Sequence, residues 1–469
     1  MQLSHTLSAG SATFDEPNLV SGAGLVPLMK LADRAGLHRL GNEHLSVPTD
    51  KGANAGLKLA SLVAGMAAGA DSIDDMALLR HGAMGTLFDR PYAPSTLGSY
   101  LRAFTFGHVR QADAIASRFA RALAEHTGLL GHASETGTVM VDIDDTIVEV
   151  HGYAKQGASF GYSGVRGLNA LLATVSTEQT APVIAAQRLR KGSVGSQRGA
   201  ARLATDALAL IRRTHLHDRD VLVRGDSAFY SHALVTACLK AGADVSVTVR
   251  MDPAVKRAIA AIDDDAWTTI NYTDAIYDEH TGRWISRAEV AEVDFTAFTS
   301  KKKDDQVPGR LVVRRIPDLN PKAASGQASL FDIWRFHAFF TTTSVEKYDT
   351  VASDKIHRAH AIIENVHADL KNSALAHLPS GKFNANAAWL VCAVMAFNLT
   401  RAAATLTKSR SMARATTATI RRTLITVPAR IASSARRLRL HLPEGWPWQT
   451  AWQTLYDTVF PPRRPSAPI

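Results

Sequence analysis

The spacing of apolar residues changes near residue 139, from helical intervals before that point to strand-like runs after it. Upstream, apolar side chains recur every three or four residues, as on amphipathic helices, in four segments: 28–37, 53–70, 73–87 and 97–129. Ser72 and Asp75 are placed like a capping box at the start of the third segment. The pattern predicts an all-helical N-terminal domain over residues 1–131.

The runs after residue 139 are rich in β-branched residues and read as strands. Three come first, at 139–146, 168–175 and 182–188. The glycine-rich stretch between the first two is too irregular for a helix, and a parallel crossover needs about a dozen residues or more, so we predict antiparallel pairing. Helices and strands then alternate as in an α/β fold, at 199–214, 220–225, 232–241 and 245–250.

The remainder of the chain divides by composition. Residues 253–335 are rich in charge and hold strand-like runs at 267–272, 289–298 and 310–316, which predicts a β-rich insertion subdomain. A strand at 336–343 and helices at 353–370 and 384–399 follow. We therefore divide the α/β core into a first part, 132–252, and a second part, 336–400, followed by a basic helical C-terminal region, 401–469.

Acidic side chains stand at the ends of two predicted strands. The first strand carries Asp142, Asp144 and Asp145, and the second acid-tipped strand leads to Asp226. Alternation along a strand puts Asp142 and Asp144 on one side and Asp145 on the other. Clustered carboxylates raise one another's pKa, so such a group usually holds a cation or a shared proton. A single capping aspartate is the simpler alternative for a strand end.

The helix predicted at 353–370 carries a polar stripe. His357, His360, Glu364, His367 and Lys371 recur at steps of three and four residues and share one face. A solvated face is the ordinary interpretation of such a stripe, and a zinc site lacks support because no cysteine or HExxH pattern accompanies the histidines. The single carboxylate in its middle indicates a functional role.

Charge favours a polyanionic partner. The 469 residues include 53 Lys and Arg against 43 Asp and Glu, a formal charge of +10, and 46% apolar residues, enough for real cores. Arg190 and Lys191 precede a helix start, where a phosphate site and a solvated turn are equally open. Residues 401–440 hold ten basic residues and no acid: Arg401, Lys408, Arg410, Arg414, Arg421, Arg422, Arg430, Arg436, Arg437 and Arg439.

Cysteine usage and hydropathy predict a cytoplasmic protein without a membrane partner. Cys238 and Cys392 lie far apart in apolar contexts, which indicates buried thiols rather than a disulfide or a zinc site. The most apolar stretch, 385–397, is interrupted by Asn386 and is too short to span a bilayer.

The acidic strand resembles the DxDxT motif of haloacid-dehalogenase-type phosphatases. That resemblance implies Asp142 as the phosphorylated nucleophile and Asp144 as the acid/base, with Thr146 completing the motif. The second acid of the metal loop is missing, since Tyr230 stands four residues after Asp226. The resemblance also gives no role to the basic C-terminal region or to Glu364.

A wider set of motifs resembles DDE transposases of bacterial insertion sequences, in the branch typified by insertion sequence 1380. These motifs are Asp142-Ile-Asp-Asp-Thr, His151-Gly-Tyr, Leu189-Arg-Lys-Gly-Ser, Arg224-Gly-Asp-Ser, Ile363-Glu-Asn and Phe383-Asn-Ala-Asn. The resemblance implies an RNase H-like catalytic core interrupted by the β-rich insertion and flanked by the helical N-terminal and basic C-terminal regions. It further implies that the N-terminal domain serves DNA binding or dimerisation.

The resemblance assigns the site residue by residue. Asp144, Asp226 and Glu364 are the implied catalytic acids and the ligands of two Mg²⁺ or Mn²⁺ ions, and the implied DNA contacts are Arg190, Lys191, Arg358, His360 and Lys371. The related Tyr-x2-Arg-x3-Glu-x6-Lys signature is kept only in part, because its Tyr and Arg positions hold His357 and His360.

The implied function is cut-and-paste transposition. Such a protein binds the terminal inverted repeats of its element and the target DNA, as a homodimer in the bacterial cytoplasm, and both cleaves and joins strands. The alternatives are the phosphatase described above and a non-catalytic DNA-binding descendant of a transposase.

Overall fold

The computed structural model describes residues 12–48, 50–88, 91–132, 134–161, 163–278, 283–317, 334–434 and 437–461. Arg436 and parts of the predicted insertion, residues 279–282 and 318–333, lie outside these ranges. The described chain is a mixed α/β structure built from a helical N-terminal part, a ten-stranded sheet and a C-terminal part that returns to the N-terminal one.

The N-terminal part is almost entirely helical. Its elements are β1 (Leu19–Val20), α1 (Leu25–Arg34), α2 (Leu37–His44), α3 (Ala55–Ala68), α4 (Pro94–Arg102) and α5 (Phe106–Thr127). The short strand β1 is a departure from the all-helical prediction. It forms because a strand from the far end of the chain pairs with it.

Two of the predicted helices differ from the observed ones. The segment 73–87 forms two 3-10 turns, Asp74–Leu79 and Gly82–Thr86, separated near Gly82, which has a φ of 50°. A Cβ at Gly82 would lie 2.5 Å from the carbonyl oxygen of Leu19, so only glycine fits this approach. The segment 97–129 divides into α4 and α5 because Thr105 and His108 form a capping box that starts a new helix.

The sheet contains ten strands. Nine follow one path, in the order β3-β4-β2-β6-β7-β11-β10-β9-β8, while β5 pairs with β4. The strands are β2 (Val139–Glu149), β3 (Ser159–Phe160), β4 (Arg166–Ser176), β5 (Val183–Lys191), β6 (Val221–Gly225), β7 (Asp244–Thr248), β8 (Thr268–Asp278), β9 (Arg283–Ala297), β10 (Val307–Pro317) and β11 (Trp334–Thr341).

Strand pairing confirms part of the prediction and corrects another part. β2, β4 and β5 are antiparallel neighbours, as the connections predicted, and β2 runs parallel to β6, which runs parallel to β7. The acids of β2 do not stand at its end. The strand continues to Glu149, because β4 pairs with it as far as Glu149 and Gly167.

Helices cover this sheet and close its edge. They are α6 (Ala200–Ile211), α7 (His232–Lys240), α8 (Pro253–Ala260), α9 (Thr350–Arg358), α10 (Ile362–Lys371) and α11 (Phe383–Leu406). The predicted single helix at 353–370 is divided into α9 and α10 by a 3-10 turn at Ala359–Ala361.

The long helix α11 is the centre of the core. Every residue from 385 to 404 is buried, and the helix packs against α3, α4, α5 and β5. By length and composition α11 could cross a membrane, but its apolar window is wholly enclosed by the protein. Oδ1 of Asn398 accepts the N–H of Ile184 at 3.0 Å, and Nδ2 of Asn398 donates to the C=O of Ile184 at 2.8 Å. These two bonds pair the backbone of Ile184 at the edge of β5 in place of a neighbouring strand.

The C-terminal part mixes helices and strands, so the prediction of a helical region is wrong over the strands. It contains α12 (Arg410–Ala413), α13 (Thr417–Ile420), β12 (Ala429–Ser434), β13 (Arg437–His441) and α14 (Gln449–Val459). β12 pairs with both β13 and β1 in a three-stranded sheet. Pairing between segments that are far apart in one sequence leaves little trace in local apolar spacing.

A buried ion pair joins the two central parallel strands. Arg224 on β6 donates from Nε and Nη2 to the two carboxylate oxygens of Asp142 on β2, at 2.7 and 2.9 Å. Both side chains are almost fully buried, and Nη1 of Arg224 also donates to the carbonyl of Ile356 on α9 at 2.5 Å. The pair therefore ties β2, β6 and α9 together.

Asp142→Ala should lower the free energy of unfolding by about 3–5 kcal/mol, because it leaves the Arg224 guanidinium buried without its counter-charge. Chemical denaturation of the purified protein measures this change. The matched control is Asp33→Ala, which removes an exposed partner of Lys30 and should cost at most about 1 kcal/mol. Equal costs for the two variants would contradict a structural role for the buried pair.

Candidate active site

The two predicted catalytic aspartates lie side by side on neighbouring strands. β2 and β6 are parallel and pair Ile143 with Gly225, so the next residues, Asp144 and Asp226, are adjacent across strands spaced about 4.8 Å apart. Oδ1 of Asp144 accepts the N–H of Asp145 at 2.7 Å, and Oδ1 of Asp226 accepts the N–H of Ala228 at 2.9 Å.

Glu364 joins them from α10, which packs against β2. Its carboxylate stands in the first turn of that helix and is exposed. The pKa of Asp144 is raised to about 7, mainly by burial. The negative charges of Asp226, Asp145 and Glu364 contribute in the same direction, and the hydrogen bond from the Asp145 N–H opposes them. The structure thus brings the three predicted acids into one like-charged cluster.

The pKa of Asp226 is raised for a similar reason. Partial desolvation raises the pKa of its carboxyl, and the charge of Asp145 adds to that effect, although backbone hydrogen bonds and His360 act in the opposite direction. Part of the side chain still meets solvent. The cluster therefore carries more negative charge than its surroundings stabilise, which is the condition that attracts a cation.

The three aspartates of β2 have different partners. Asp142 is neutralised by Arg224, and Asp145 by Arg190, whose Nη2 donates to it. Within the described part of the chain, Asp144 has no arginine or lysine partner, and the ring of His367 lies 3.5 Å from its carboxylate. Asp144 is therefore the acid of this strand that remains available to a ligand.

His367 is a site residue that the sequence did not distinguish from the rest of its stripe. Its Nε2 lies 3.5 Å from Oδ2 of Asp144, and the side chain is buried. Burial, together with the charge of Lys371, lowers the pKa of His367 to about 4, so its ring is neutral at pH 7. The signal that could have found it is its position three residues after Glu364, on the same helical face.

An open cleft of about 400 Å³ lies over Asp144 and Glu364, and Asp226 is not among the residues that line it. Asp144, Thr146, Glu364, His367 and Lys371 are among its lining residues. The Lys371 ammonium is exposed and lies 3.5 Å from Oγ1 of Thr146, at the side of the cleft. One cation thus stands beside the carboxylates without being paired to them.

The predicted polar stripe is not a solvated face. His357 is buried, stacks on Phe339 with ring centroids 4.0 Å apart, and contacts Ser246 and Thr248 at 2.9 and 3.0 Å. With His367 also buried, two of its five members pack inward. The interpretation of the stripe as a solvated face is therefore wrong for His357 and His367, which pack inward.

Arg190 does not face solvent, contrary to the prediction that it contacts DNA. Its guanidinium binds Asp145, Oδ1 of Asn169 and the carbonyl oxygens of residues 195, 196 and 198, so all three nitrogens donate within the protein. The physical reason is the buried carboxylate of Asp145, which requires a counter-charge. Arg190 thus holds β2, β4 and the loop after β5 together.

The other predicted DNA contacts are more accessible. Lys191 is exposed at the end of β5. Arg358 is partly exposed and donates from Nε to Asp354 at 2.9 Å, and Nδ1 of His360 lies 2.7 Å from the carbonyl oxygen of His357. Arg358 and His360 lie where α9 meets α10, and Lys371 is the last residue of α10.

The geometry contradicts the phosphatase alternative. That reaction needs Asp142 as an exposed nucleophile, but its side chain is 1% exposed and both its oxygens are bound by Arg224. No in-line attack on a phosphoester can reach it.

Carboxylate oxygens are the ligands that Mg²⁺ and Mn²⁺ prefer, and the raised pKa of Asp144 shows a charge cluster that such a cation neutralises. Among the described residues, no three His, Cys, Asp or Glu side chains already stand in a metal-binding cluster. The donor set therefore fits a divalent cation chemically, because Asp144, Asp226 and Glu364 would supply oxygen ligands and the last two are exposed.

Fold and site together define a mixed α/β protein that gathers strand-borne and helix-borne carboxylates at one cleft. A family model described as transposase DDE domain group 1 matches residues 10–462. The chain therefore belongs to that family of DDE transposases, whose members generally use divalent metal ions.

Among solved structures, the chain resembles piggyBac transposase in a cryo-EM synaptic complex with hairpin DNA, at 9% identity and a TM-score of 0.39, over 84% of this chain and 78% of that chain. No curated protein matches the chain.

The raised pKa of Asp144 predicts a pH-dependent stability. Between the usual value of 3.8 and about 7, the folded protein holds a proton that the unfolded chain has lost, so the free energy of unfolding falls as pH rises through that range. Asp144→Asn removes the charge and should be more stable than the wild type at pH 8, by on the order of 2–4 kcal/mol. At pH 4 the two should be nearly equal.

Chemical denaturation in EDTA at both pH values measures the difference. Asp304→Asn, at an exposed position away from the cluster, is the control and should match the wild type throughout. Wild-type stability equal to that of Asp144→Asn at pH 8 would show that the carboxylates do not repel one another.

Proposed function

We propose that the protein is a DNA transposase that binds the terminal inverted repeats of its insertion sequence and catalyses metal-dependent strand cleavage and strand transfer, by cut-and-paste transposition. The observation that carries the proposal is the convergence of Asp144, Asp226 and Glu364, in a chain that belongs to a DDE transposase family. The branch typified by insertion sequence 1380 is part of the proposal.

We assign the sheet from β5 to β7 to an RNase H-like core. The support is its strand arrangement, in which three antiparallel strands, β5, β4 and β2, are followed by β6 and β7 parallel to β2. The helices α6 and α7 precede β6 and β7 along the chain, as parallel crossovers require. In this sheet Asp226 follows the end of β6, and Asp144 lies beside it within β2, next to α10.

The carboxylates of Asp144, Asp226 and Glu364 would hold two Mg²⁺ or Mn²⁺ ions. When bound, such ions activate a water or a DNA 3′-OH and stabilise the leaving oxygen of a phosphodiester. Asp144 is favoured over Asp142 and Asp145 as the strand-borne ligand because arginines neutralise the other two.

Neighbouring residues position these groups. The neutral His367 ring contacts Oδ2 of Asp144 and limits its rotation. Lys371 places an ammonium beside the cleft, where it can hold a phosphate without neutralising the acids. Arg358, His360 and Lys191 extend the proposed DNA contact, while Arg190 acts by holding Asp145 and the loop that follows β5.

Two ends must be cut and joined in one transposition event, so we also propose a homodimer on DNA. The reaction would take place in the bacterial cytoplasm, with double-stranded end and target DNA as partners. Light scattering of the protein mixed with end-containing duplex tests the stoichiometry, and a complex with one protein chain would contradict the dimer.

Purified protein with duplex DNA carrying the element's end and Mg²⁺ or Mn²⁺ should nick and join strands. Asp144→Asn, Asp226→Asn and Glu364→Gln should each reduce cleavage by about three orders of magnitude or more, because each removes several kcal/mol of metal-dependent stabilisation of the transition state. Gel assays of cleavage and strand transfer provide the measurement.

Asp304→Asn is the matched control, since it removes an exposed carboxylate outside the cluster and should cut like the wild type. Full activity of all three cluster variants would defeat the assignment of the site. A wild-type protein that binds ends but never cuts them would indicate a non-catalytic descendant.

A further inference from the structure

A second charged surface lies apart from the carboxylate cleft. The helices α5 and α6 form its walls, and β5 forms its floor between them. Two adjoining cavities, of about 300 and 420 Å³, share Ser117, Arg118 and Arg213 and extend the surface to α2. We call this surface the arginine groove.

Its charge is positive. Seven arginines and two aspartates line the groove, and Arg39 and Arg121 are paired with Glu43 and Glu125 beside it, which leaves an excess of three positive charges. The arginines are Arg39, Arg110, Arg118, Arg121, Arg188, Arg202 and Arg213, and the aspartates are Asp113 and Asp206. A concave surface with one sign of charge concentrates a polyanion.

The two aspartates offset two of the positive charges and hold the arginines of the floor in place. Arg188 donates to Asp113 and Asp206 at 3.0 and 2.5 Å, and Arg110 donates to Asp113 at 2.6 Å. These contacts hold guanidinium groups of β5 and α5 in fixed positions. Preordered guanidinium groups lose little entropy when they bind a phosphate.

Two arginines are left for a ligand. Arg118 and Arg213 are exposed, and neither has an ion-pair partner among the residues that the structure describes. Both line each of the two cavities, so they stand at the centre of the groove. Their charges are the ones that a bound anion would meet first.

The length of the groove suits duplex DNA. From Arg110 to Arg121 the wall formed by α5 rises about 16 Å, at 1.5 Å per residue. Phosphates of one strand follow at about 3.4 Å along the duplex axis, so this length covers about five nucleotides.

The lining does not suit an apolar partner. None of the large apolar side chains exposed in the described chain lines the groove, whereas a protein interface or a membrane surface needs such anchors. Guanidinium forks with small alanines between them are instead suited to phosphate oxygens.

The groove lies away from the reacting phosphodiester. Asp144 and Asp145 are adjacent on β2 and point to opposite faces of the sheet, Asp144 towards His367 on α10. Asp145 binds Arg190, and Arg188 lies two residues earlier on the same side of β5. The groove arginine Arg188 is therefore on the side of the sheet that Asp145 faces, whereas α10, which carries Glu364 and His367, is on the side that Asp144 faces.

We propose that the arginine groove binds the phosphate backbone of a duplex DNA segment that flanks the reacting one. This inference rests on the proposed function and adds a second DNA-binding surface to it, formed jointly by the N-terminal helices and the core. Because its contacts are to phosphates, it binds without regard to base sequence.

The test compares the double variant Arg118→Gln/Arg213→Gln with the wild type, in EDTA so that no strand is cut. Affinity is measured against salt concentration for an end-containing duplex and for a scrambled duplex of equal length. Loss of two phosphate contacts should reduce the slope of log affinity against log salt by about 2. At 0.15 M salt the affinity should fall on the order of 30-fold, equally for both duplexes.

Two controls separate this effect from folding and from total charge. Arg118→Lys/Arg213→Lys keeps the charges and should retain most of the slope. Lys256→Gln/Arg257→Gln removes two exposed charges from α8, outside the groove, and should leave the slope unchanged.

An unchanged slope in the glutamine variant, or an equal loss in the α8 variant, would overturn the proposal. These outcomes are distinct from a failure of the proposed function, which shows as a wild-type protein that does not cut end DNA with Mg²⁺ or Mn²⁺. A wild-type protein that binds no DNA overturns both.

Discussion

The burial of Asp144 beside other carboxylates is the constraint on which the arrangement of the core depends. Burial is the main cause that raises the pKa of Asp144 to about 7, and the negative charges of Asp226, Asp145 and Glu364 add to it. The parallel pairing of β2 with β6 holds two of the acids together, and the contact of α10 with β2 brings the third. Without that backbone the acids would separate.

Two buried arginines limit the repulsion to one site. Asp142 and Asp145 flank Asp144 on the same strand, yet each has its own guanidinium, from β6 and β5 respectively. Burying an unpaired charge costs several kcal/mol, so these pairs let a strand with three acids exist inside a protein. They also decide which acid is left for a cation. The same pairs tie the strands and α9 to one another, so the site and the stability of the sheet are coupled.

The helix α11 connects this sheet to both ends of the chain. It is buried along nearly its whole length and packs against the N-terminal helices on one side and β5 on the other. The C-terminal hairpin returns to pair with β1. In the arginine groove, the wall formed by α5 thus belongs to the N-terminal part. The other wall, α6, and the floor, β5, belong to the α/β core. DNA bound there would contact both parts at once.

Local pattern was sufficient for much of this protein. Alternation and β-branched runs predicted β2, β4 and β5 and their antiparallel pairing, and helical spacing predicted most helices. Side-chain alternation placed Asp142 and Asp144 on one face of β2 and Asp145 on the other. These features follow from residue chemistry over a few turns or strands. The selection of Asp144, Asp226 and Glu364 as one set came instead from the resemblance to DDE transposases.

Tertiary structure decided what local pattern could not. The partners of Arg190 and Asp142 come from other strands, so their burial has no local signal, and the same holds for His357 and His367 facing the sheet. β1 and β12 form because segments about 400 residues apart meet. The arginine groove likewise combines four separate segments, α2, α5, β5 and α6. Sequence therefore determined which groups carry charge, and the fold determined which charges are neutralised and which remain available for chemistry.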